Sequence, residues 1–408
     1  MEFRQTQLDN GLTVVCEINP EAASMAMGFF VRTGSRDETP EVAGVSHFLE
    51  HMMFKGTDKR SAAEVNLAFD RLGAQYNAST SEENTIYYGA VLPEFQADLL
   101  DVLGDMMRPA LRGGDFDMEK NVIIDEIARY EDMPSFKVFE KLMAVHFAGH
   151  PLANSVLGTT ESITALRREQ MQTYFDQQYS PGNVTLVGVG ALDFDAFVAQ
   201  AKRLCGSWRP FDVHRRRPPC RGSGATKVIA DPKVVRQHVA MMSAAPPGDD
   251  EDRFAAQLAA TVFGDVTGSR LYYALVDPAL VDEAHCSYEA MDATGAFITT
   301  LSCDPERARQ VVDVTLAEMA AFVKDGPTPG EMDAARNKLA SIITVKGEVP
   351  MGRLVSVGLE WVYRRDYIPM GEQIDRLFGA TLEQVRDVLA RYDLRAVSTT
   401  ALGPLETL

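Results

Sequence analysis

Cysteine is scarce in this sequence, and the five present (Cys16, Cys205, Cys220, Cys286 and Cys303) show no C-x-x-C spacing. An odd number in a 408-residue chain excludes a disulfide framework and gives no thiolate metal site; it reads as free, mostly buried thiols in a reducing compartment. Long apolar runs are missing too. No stretch approaches the roughly 18 uninterrupted apolar residues of a membrane span, so no membrane association is expected. The N-terminus, Met1-Glu2-Phe3-Arg4-Gln5, lacks a basic segment followed by an apolar run. No signal peptide is therefore expected, and a cytoplasmic protein is the default. Positive charge is also short: 40 Lys and Arg stand against 58 Asp and Glu, a net of −18. That balance argues against a nucleic-acid partner. Residues 1–208 hold 17 Lys and Arg against 30 Asp and Glu, a net of −13. The excess is either solubility charge or an acidic working surface that favours basic peptides.

What is present is a large apolar content, 46%, enough for a packed core and two or more domains. Leu8-Asp9-Asn10-Gly11 supplies a turn before the strand Leu12-Thr13-Val14-Val15. A strand over about 25–31 leads to a helix over about 45–54. A second helix opens at Ser61, with Glu64 completing a capping box, and stops at Gly73. A strand pair follows over 75–80 and 85–91, then helices near 93–107, 115–130 and 134–147. Helix 163–178, strand 183–189 and helix 193–204 complete the first half. The stretch from Trp208 to Lys227, with Arg215-Arg216-Arg217-Pro218-Pro219 and Gly222-Ser223-Gly224, has linker composition, and its three arginines read as solvated. Strands 227–230 and 237–242 and helices near 252–263, 305–324, 331–346 and 382–392 then repeat the order of the first half. The expected fold is α+β, with two similar domains (1–208 and 228–408) joined by a linker (209–227). Each domain is a mainly antiparallel sheet covered by helices.

The helix over 45–54 carries His47-Phe48-Leu49-Glu50-His51. Positions i, i+3 and i+4 share one helical face, so His47, Glu50 and His51 project together. Two imidazoles one turn apart can hold one zinc, and the carboxylate beside them can act as a base. H-x-x-E-H is a known catalytic zinc arrangement. Only 7 residues are His, and chance would produce the pattern on the order of 1% of the time at ordinary composition. A two-His site needs a third protein ligand. His146 and His150 are poor candidates, because Gly149 and Pro151 end the helix there. The helix after Asp115 offers better ones: Glu119 and Glu126, two turns apart on one face. The matching helix of the second half reads Arg253-Phe254-Ala255-Ala256-Gln257, with no ligands.

Over nearly its whole length the sequence resembles the pitrilysin family of zinc metallopeptidases (M16, the inverzincins), in particular the short, processing-peptidase-like branch. The resemblance rests on Leu8–Leu12, Gly34-Ser35-Arg36-Asp37-Glu38, His47–Thr57, Asn77-Ala78-Ser79-Thr80-Ser81, Glu119–Ile127 and Ser269-Arg270-Leu271. It implies one zinc per chain, held by His47, His51 and Glu126, the last standing 75 residues after His51. It implies that Glu50 is the catalytic base and that Glu119 is a supporting catalytic carboxylate. It also implies that an extended peptide adds as a strand beside Asn77, Ala78, Ser79 and Thr80, between two halves that close like a clamshell.

One departure bears on assembly. Family members that act alone carry an Arg and a Tyr, seven apart, after Ser-Arg-Leu; the matching positions here are Val276 and Glu283. The resemblance then implies a heterodimer with a homologous subunit that lacks H-x-x-E-H and supplies the Arg–Tyr clamp. A homodimer using Arg270, Tyr272 or Tyr273 is the alternative. Against the zinc endopeptidase stand two other readings: a non-catalytic structural or binding subunit of a peptidase complex, and a zinc hydrolase of small molecules.

Overall fold

The computed structural model of the chain describes every residue except Pro219 and Arg221; the expected linker, 209–227, thus falls outside the described residues at both of these positions. The first segment runs β1 (Glu2–Gln7), β2 (Thr13–Ile18), β3 (Met25–Val31), α1 (Val45–Met53), α2 (Ala62–Leu72), β4 (Gln75–Thr80) and β5 (Thr85–Val91). It continues through α3 (Gln96–Met106), α4 (Gly113–Glu131), α5 (Pro134–His146), α6 (Thr160–Ala165), α7 (Arg168–Gln178), β6 (Val184–Gly190) and α8 (Phe194–Cys205). The later segment runs β7 (Thr226–Ala230), β8 (Gln237–Ala245), α9 (Arg253–Gly264), β9 (Glu283–Met291) and β10 (Thr294–Cys303). It ends with α10 (Ala308–Asp325), α11 (Pro329–Gly347), α12 (Pro350–Arg364), α13 (Met370–Gly379), α14 (Leu382–Arg391) and β11 (Ser398–Gly403).

The architecture is the expected α+β, built on two mixed sheets. The first has the order β1-β2-β6-β3-β5-β4, and the second β7-β11-β8-β10-β9. Among the described residues only the β2–β6 and β7–β11 pairings are parallel. β3 is apolar without alternation because it is buried on both faces. Ala26 and Phe30 face a cluster with Leu354, Val357 and Trp361 of α12. Alternate residues Met25, Met27, Phe29 and Val31 are buried as well, and α3 and α8 lie against β3, β5 and β2. Gly358 lets α12 settle on the sheet, since a Cβ there would stand 2.2 Å from the Phe30 ring. A buried ion pair, Arg353 Nη2 to Glu17 Oε2 at 2.6 Å, pins the same helix.

The two compact units are not contiguous in sequence. The first comprises Met1–Ile127, Asn154–Arg216 and Val345–Ile368; the second comprises Ala128–Ala153, Arg217–Thr344 and Pro369–Leu408. A division at 208 and 228 therefore places two helices differently from their contacts. α12, late in the chain, covers the first sheet, and α5, from the early half, packs on β8 and β11 of the second through Val138, Leu142 and Met143. The physical reason is that each sheet has two apolar faces to bury, and nothing requires both covers to be local in sequence. Of the linker arginines, Arg216 and Arg217 are exposed as expected, but the side chain of Arg215 is buried within the first unit. Among the described residues none of the five cysteines forms a disulfide, and four of them are buried. Among the described residues no helix is long and apolar enough to cross a membrane.

Gly358→Ala tests the docking of α12. Helix propensity alone would favour alanine by about 1 kcal/mol. Overpacking against Phe30 costs about 1–3 kcal/mol, so the denaturation midpoint should fall; a rise would mean that the helix does not bear on that ring.

Candidate metal and peptidase site

α1 is split by its own sequence into two faces. Val45, Phe48, Leu49, Met52 and Met53 are buried, which leaves His47, Glu50 and His51 to share another side. The helix is started by a carboxylate outside it. Glu38 accepts from the Gly44 and Ser46 backbone N–H groups, both at 2.7 Å, which satisfies orphan donors at the helix N-terminus. Gly44 itself has φ 89, the left-handed region, where a side chain would meet Leu157 O at 2.7 Å. α4 brings the other partners. Its buried stripe is Phe116, Glu119, Ile123 and Ile127, and Phe116 stacks on Phe48 with centroids 4.7 Å apart.

His47, His51 and Glu126 meet where these helices cross, with one potential ligand atom from each lying within 4.8 Å of the others. Glu126 Oε2 stands 3.4 Å from His51 Nε2 and 3.8 Å from His47 Nε2. Both exceed ordinary hydrogen-bond lengths of about 2.7–3.2 Å. Tetrahedral donors on zinc bonds of about 2.0–2.1 Å stand about 3.3–3.4 Å from one another. Two imidazoles and a carboxylate also form a known zinc donor set, so the residues fit the ion that the sequence motif implies. Burial, then the neighbouring His51, holds His47 down at about 3; its imidazole is neutral and its lone pair free at working pH. Burial would lower His51 as well, but the carboxylates of Glu119, Glu126 and Glu50 outweigh it and raise its pKa.

Glu119 sits behind His51. His51 Nδ1–H donates to Glu119 Oε1 at 2.9 Å, which turns Nε2 toward Glu126 and fixes the tautomer. Lys55 pairs with the other Glu119 oxygen. Burial opposes the Glu119 charge, yet its hydrogen bonds from His51 and Lys55 hold the carboxyl below its ordinary value.

Glu50 faces β4. The Thr80 hydroxyl donates to Glu50 Oε2. Burial raises the Glu50 carboxyl and the Thr80 hydrogen bond works against that rise. Ala78 is buried, Thr80 is half-buried, and Asn77 and Ser79 are exposed. Among the described residues β4 pairs only with β5 and ends its sheet, so its outer backbone edge is open to another strand. Thr80 thus touches the Glu50 carboxylate directly, a contact that strand propensity does not reveal.

His146 and His150 belong to the second unit and to other partners. His146 lies 3.1 Å from Ser398 Oγ, and His150 lies between Pro218 O and the Leu152 N–H. In that same unit Arg270 grips Glu331 with two nitrogens, at 2.7 and 3.0 Å, and donates to Gly326 O. Tyr272 opens a π-helical turn that ends at Val276, and Tyr273 is exposed. Glu283 begins β9.

Comparison with known proteins points to a peptidase family. The family described as "Insulinase (Peptidase family M16)" matches residues 13–160, and "Peptidase M16 inactive domain" matches residues 165–339. An uncharacterized zinc protease of Mycobacterium tuberculosis is 29% identical over 412 residues, covering 98% of this chain and 93% of its own. One of Bacillus subtilis is 28% identical over 380 residues, covering 92% of each. The beta subunit of the mitochondrial-processing peptidase of Lentinula edodes is 28% identical over 410 residues, covering 96% of this chain and 85% of its own. A protease structure from Helicobacter pylori superposes with a TM-score of 0.92 at 19% identity over 99% of both chains, a likeness of fold.

Zinc affinity tests the His51–Glu119 pair. Glu119→Ala should weaken zinc binding about 10–100-fold in competition with a chelator, and unchanged affinity would leave Glu119 without a role at the metal. In the wild type the His51 proton must leave before Nε2 can bind the ion. Because that pKa is raised, affinity should fall as pH drops through a midpoint above the ordinary imidazole value.

Proposed function

The chain belongs to peptidase family M16, and on that premise we propose that it is a zinc-dependent endopeptidase of extended peptides or small unfolded polypeptides. Relatives named as zinc proteases support a peptidase role. The observation that carries the finer reading is the convergence of three elements on one spot: the His47/His51/Glu126 donor set, the Glu50 carboxylate, and the open edge of β4 beside it.

His47, His51 and Glu126 would hold a zinc ion, which when bound would supply Lewis acidity and bring the pKa of a water down to about 7. Glu50 takes the proton of the attacking water and passes it to the leaving amine. Its raised pKa brings it closer to the working pH, where a general base is most effective. Thr80 holds one Glu50 oxygen so that the other is free to accept. Glu119 fixes the His51 ring. The backbone of Asn77–Thr80 pairs with the substrate as an added strand, which recognises an extended chain more than any one side chain. Glu50→Gln should keep zinc and lose about 10²–10⁴-fold in peptide hydrolysis, the share a positioned base contributes. Hydrolysis at the wild-type rate would reject Glu50 as the base.

Nothing at Val276 or Glu283 can hold a substrate carbonyl as an Arg–Tyr pair would, and Arg270 is already committed to Glu331. Loss of one transition-state donor costs about 10²–10³ in rate. We therefore favour a heterodimer with a similar-sized relative that lacks H-x-x-E-H and carries the pair; that a relative is named as a processing-peptidase subunit is compatible with this. A homodimer, with Tyr272 or Tyr273 as the remaining local donors, is the second arrangement. Peptide cleavage should appear only on mixing the two chains. A purified single chain with full activity would exclude the requirement.

A further inference from the structure

Segment 209–216 is tied into the first unit at Phe211, whose backbone exchanges hydrogen bonds with Ser180 Oγ at 2.6 and 3.1 Å, and at Arg215. The Arg215 side chain, only 4% exposed, donates through Nε to Asp37 Oδ1 at 3.0 Å and through Nη2 to Asp37 Oδ2 at 2.7 Å. The same Nη2 donates to the backbone carbonyl of Glu83. Glu83 lies in the turn Ser81–Asn84 between β4 and β5. Its carboxylate pairs with Arg36 and accepts from Tyr363 Oη at 2.7 Å. Asn84 Nδ2 donates to that tyrosine oxygen at 3.0 Å. Arg36 and Glu83 are 1% and 3% exposed, so the cluster is shut off from water.

The backbone repeats the connection. The Arg36 N–H donates to Glu82 O at 2.9 Å, and the Ser35 N–H to Ser81 O at 3.3 Å. A Cβ at Gly34 would stand 2.2 Å from Ser81 O, so only glycine allows this approach. The next residue along, Glu38, carries the first N–H groups of α1. Five consecutive residues, 34–38, therefore touch both sides of the Thr80–Glu50 hydrogen bond. One end grips the turn that follows Thr80, and the other grips the helix that carries Glu50.

We propose that Arg215 is a positioning residue for the peptidase reaction: it locks Asp37 to the β4–β5 turn, so that segment 34–38 holds the Thr80 hydroxyl against Glu50. The proposal rests on Glu50 being the base. Buried ion pairs add little net stability over apolar packing, but they fix one geometry. A displacement of about 1 Å between reacting groups can cost about 10²-fold in rate. The guanidinium suits the task because its planar fork engages both Asp37 oxygens and still reaches a carbonyl, which a lysine ammonium cannot do.

The test uses the full chain with whatever partner activity requires. Arg215→Met and Arg215→Lys are compared with Phe197→Leu, a core substitution on α8 beside Gly188 that touches neither segment 34–38 nor the turn. Arg215→Met should lose about 10–100-fold in kcat while zinc content stays at the wild-type level. Arg215→Lys should recover part of the loss. Phe197→Leu should lower the melting temperature and leave kcat unchanged. Wild-type kcat in Arg215→Met, or a kcat loss in Phe197→Leu that tracks its stability, overturns the proposal. If Arg215→Met does not fold, Asp37→Asn is read in its place by the same criteria. If the wild type cleaves no peptide with any partner, the proposed function fails but the brace is still read by amide hydrogen exchange. Protection at residues 80–83 should drop in the Arg215 variant and not in Phe197→Leu; unchanged protection overturns it.

Discussion

The site depends on the docking of α4 against α1. Two imidazoles one turn apart are a local consequence of helix geometry, but the third donor must come from 75 residues away and arrive within about half an ångström to be useful. The Phe48–Phe116 stack sets the separation of the helices, and the His51–Glu119 hydrogen bond sets their register. With that register fixed, Glu126 falls two turns beyond Glu119 and faces both imidazoles. A slip of one residue in either helix would rotate the donor by about 100° and destroy the set. Lys55, at the end of α1, neutralises the buried Glu119 that this register requires.

The same constraint explains which parts of the structure were legible in the sequence. Features fixed by local geometry read directly: the face shared by His47, Glu50 and His51, the Ser61 capping box, and the Gly73 stop at φ 59. The spacing of Glu119 and Glu126 narrowed the third ligand to one helix, and family resemblance chose between them. Features that depend on a distant partner did not read. The β9–β10 hairpin turns on Asp292-Ala293, with Ala293 at φ 63 where glycine or asparagine would have marked it. The helix expected over 163–178 is broken at Leu166–Arg167 into α6 and α7. α12 carries Gly358 in its middle, which weakens the helical signal but is needed by Phe30. Arg215 looks solvated in a run of three arginines, and only the fold reveals Asp37 and Glu83 as its partners.

The second unit separates what the fold needs from what the chemistry needs. The helix that follows β8 there, α9, buries Ala255, Ala256, Leu258, Ala259, Val262 and Phe263, where α1 leaves His47, Glu50 and His51 facing a site. Sheet and helix pack without any metal ligand, so the architecture itself does not require an ion. In the first unit the candidate donors and the Glu50 carboxylate are likewise held by protein contacts: Glu119 on His51, Thr80 on Glu50, Glu38 on the start of α1. A metal bound there meets a largely pre-formed set and does not have to organise one. Most of the polar groups buried around it, from Glu38 to Glu83, serve that pre-organisation. They form a chain of contacts from the helix start, through segment 34–38, to the edge strand. On the proposed reading, it makes the position of Glu50 relative to β4 a property of the folded unit.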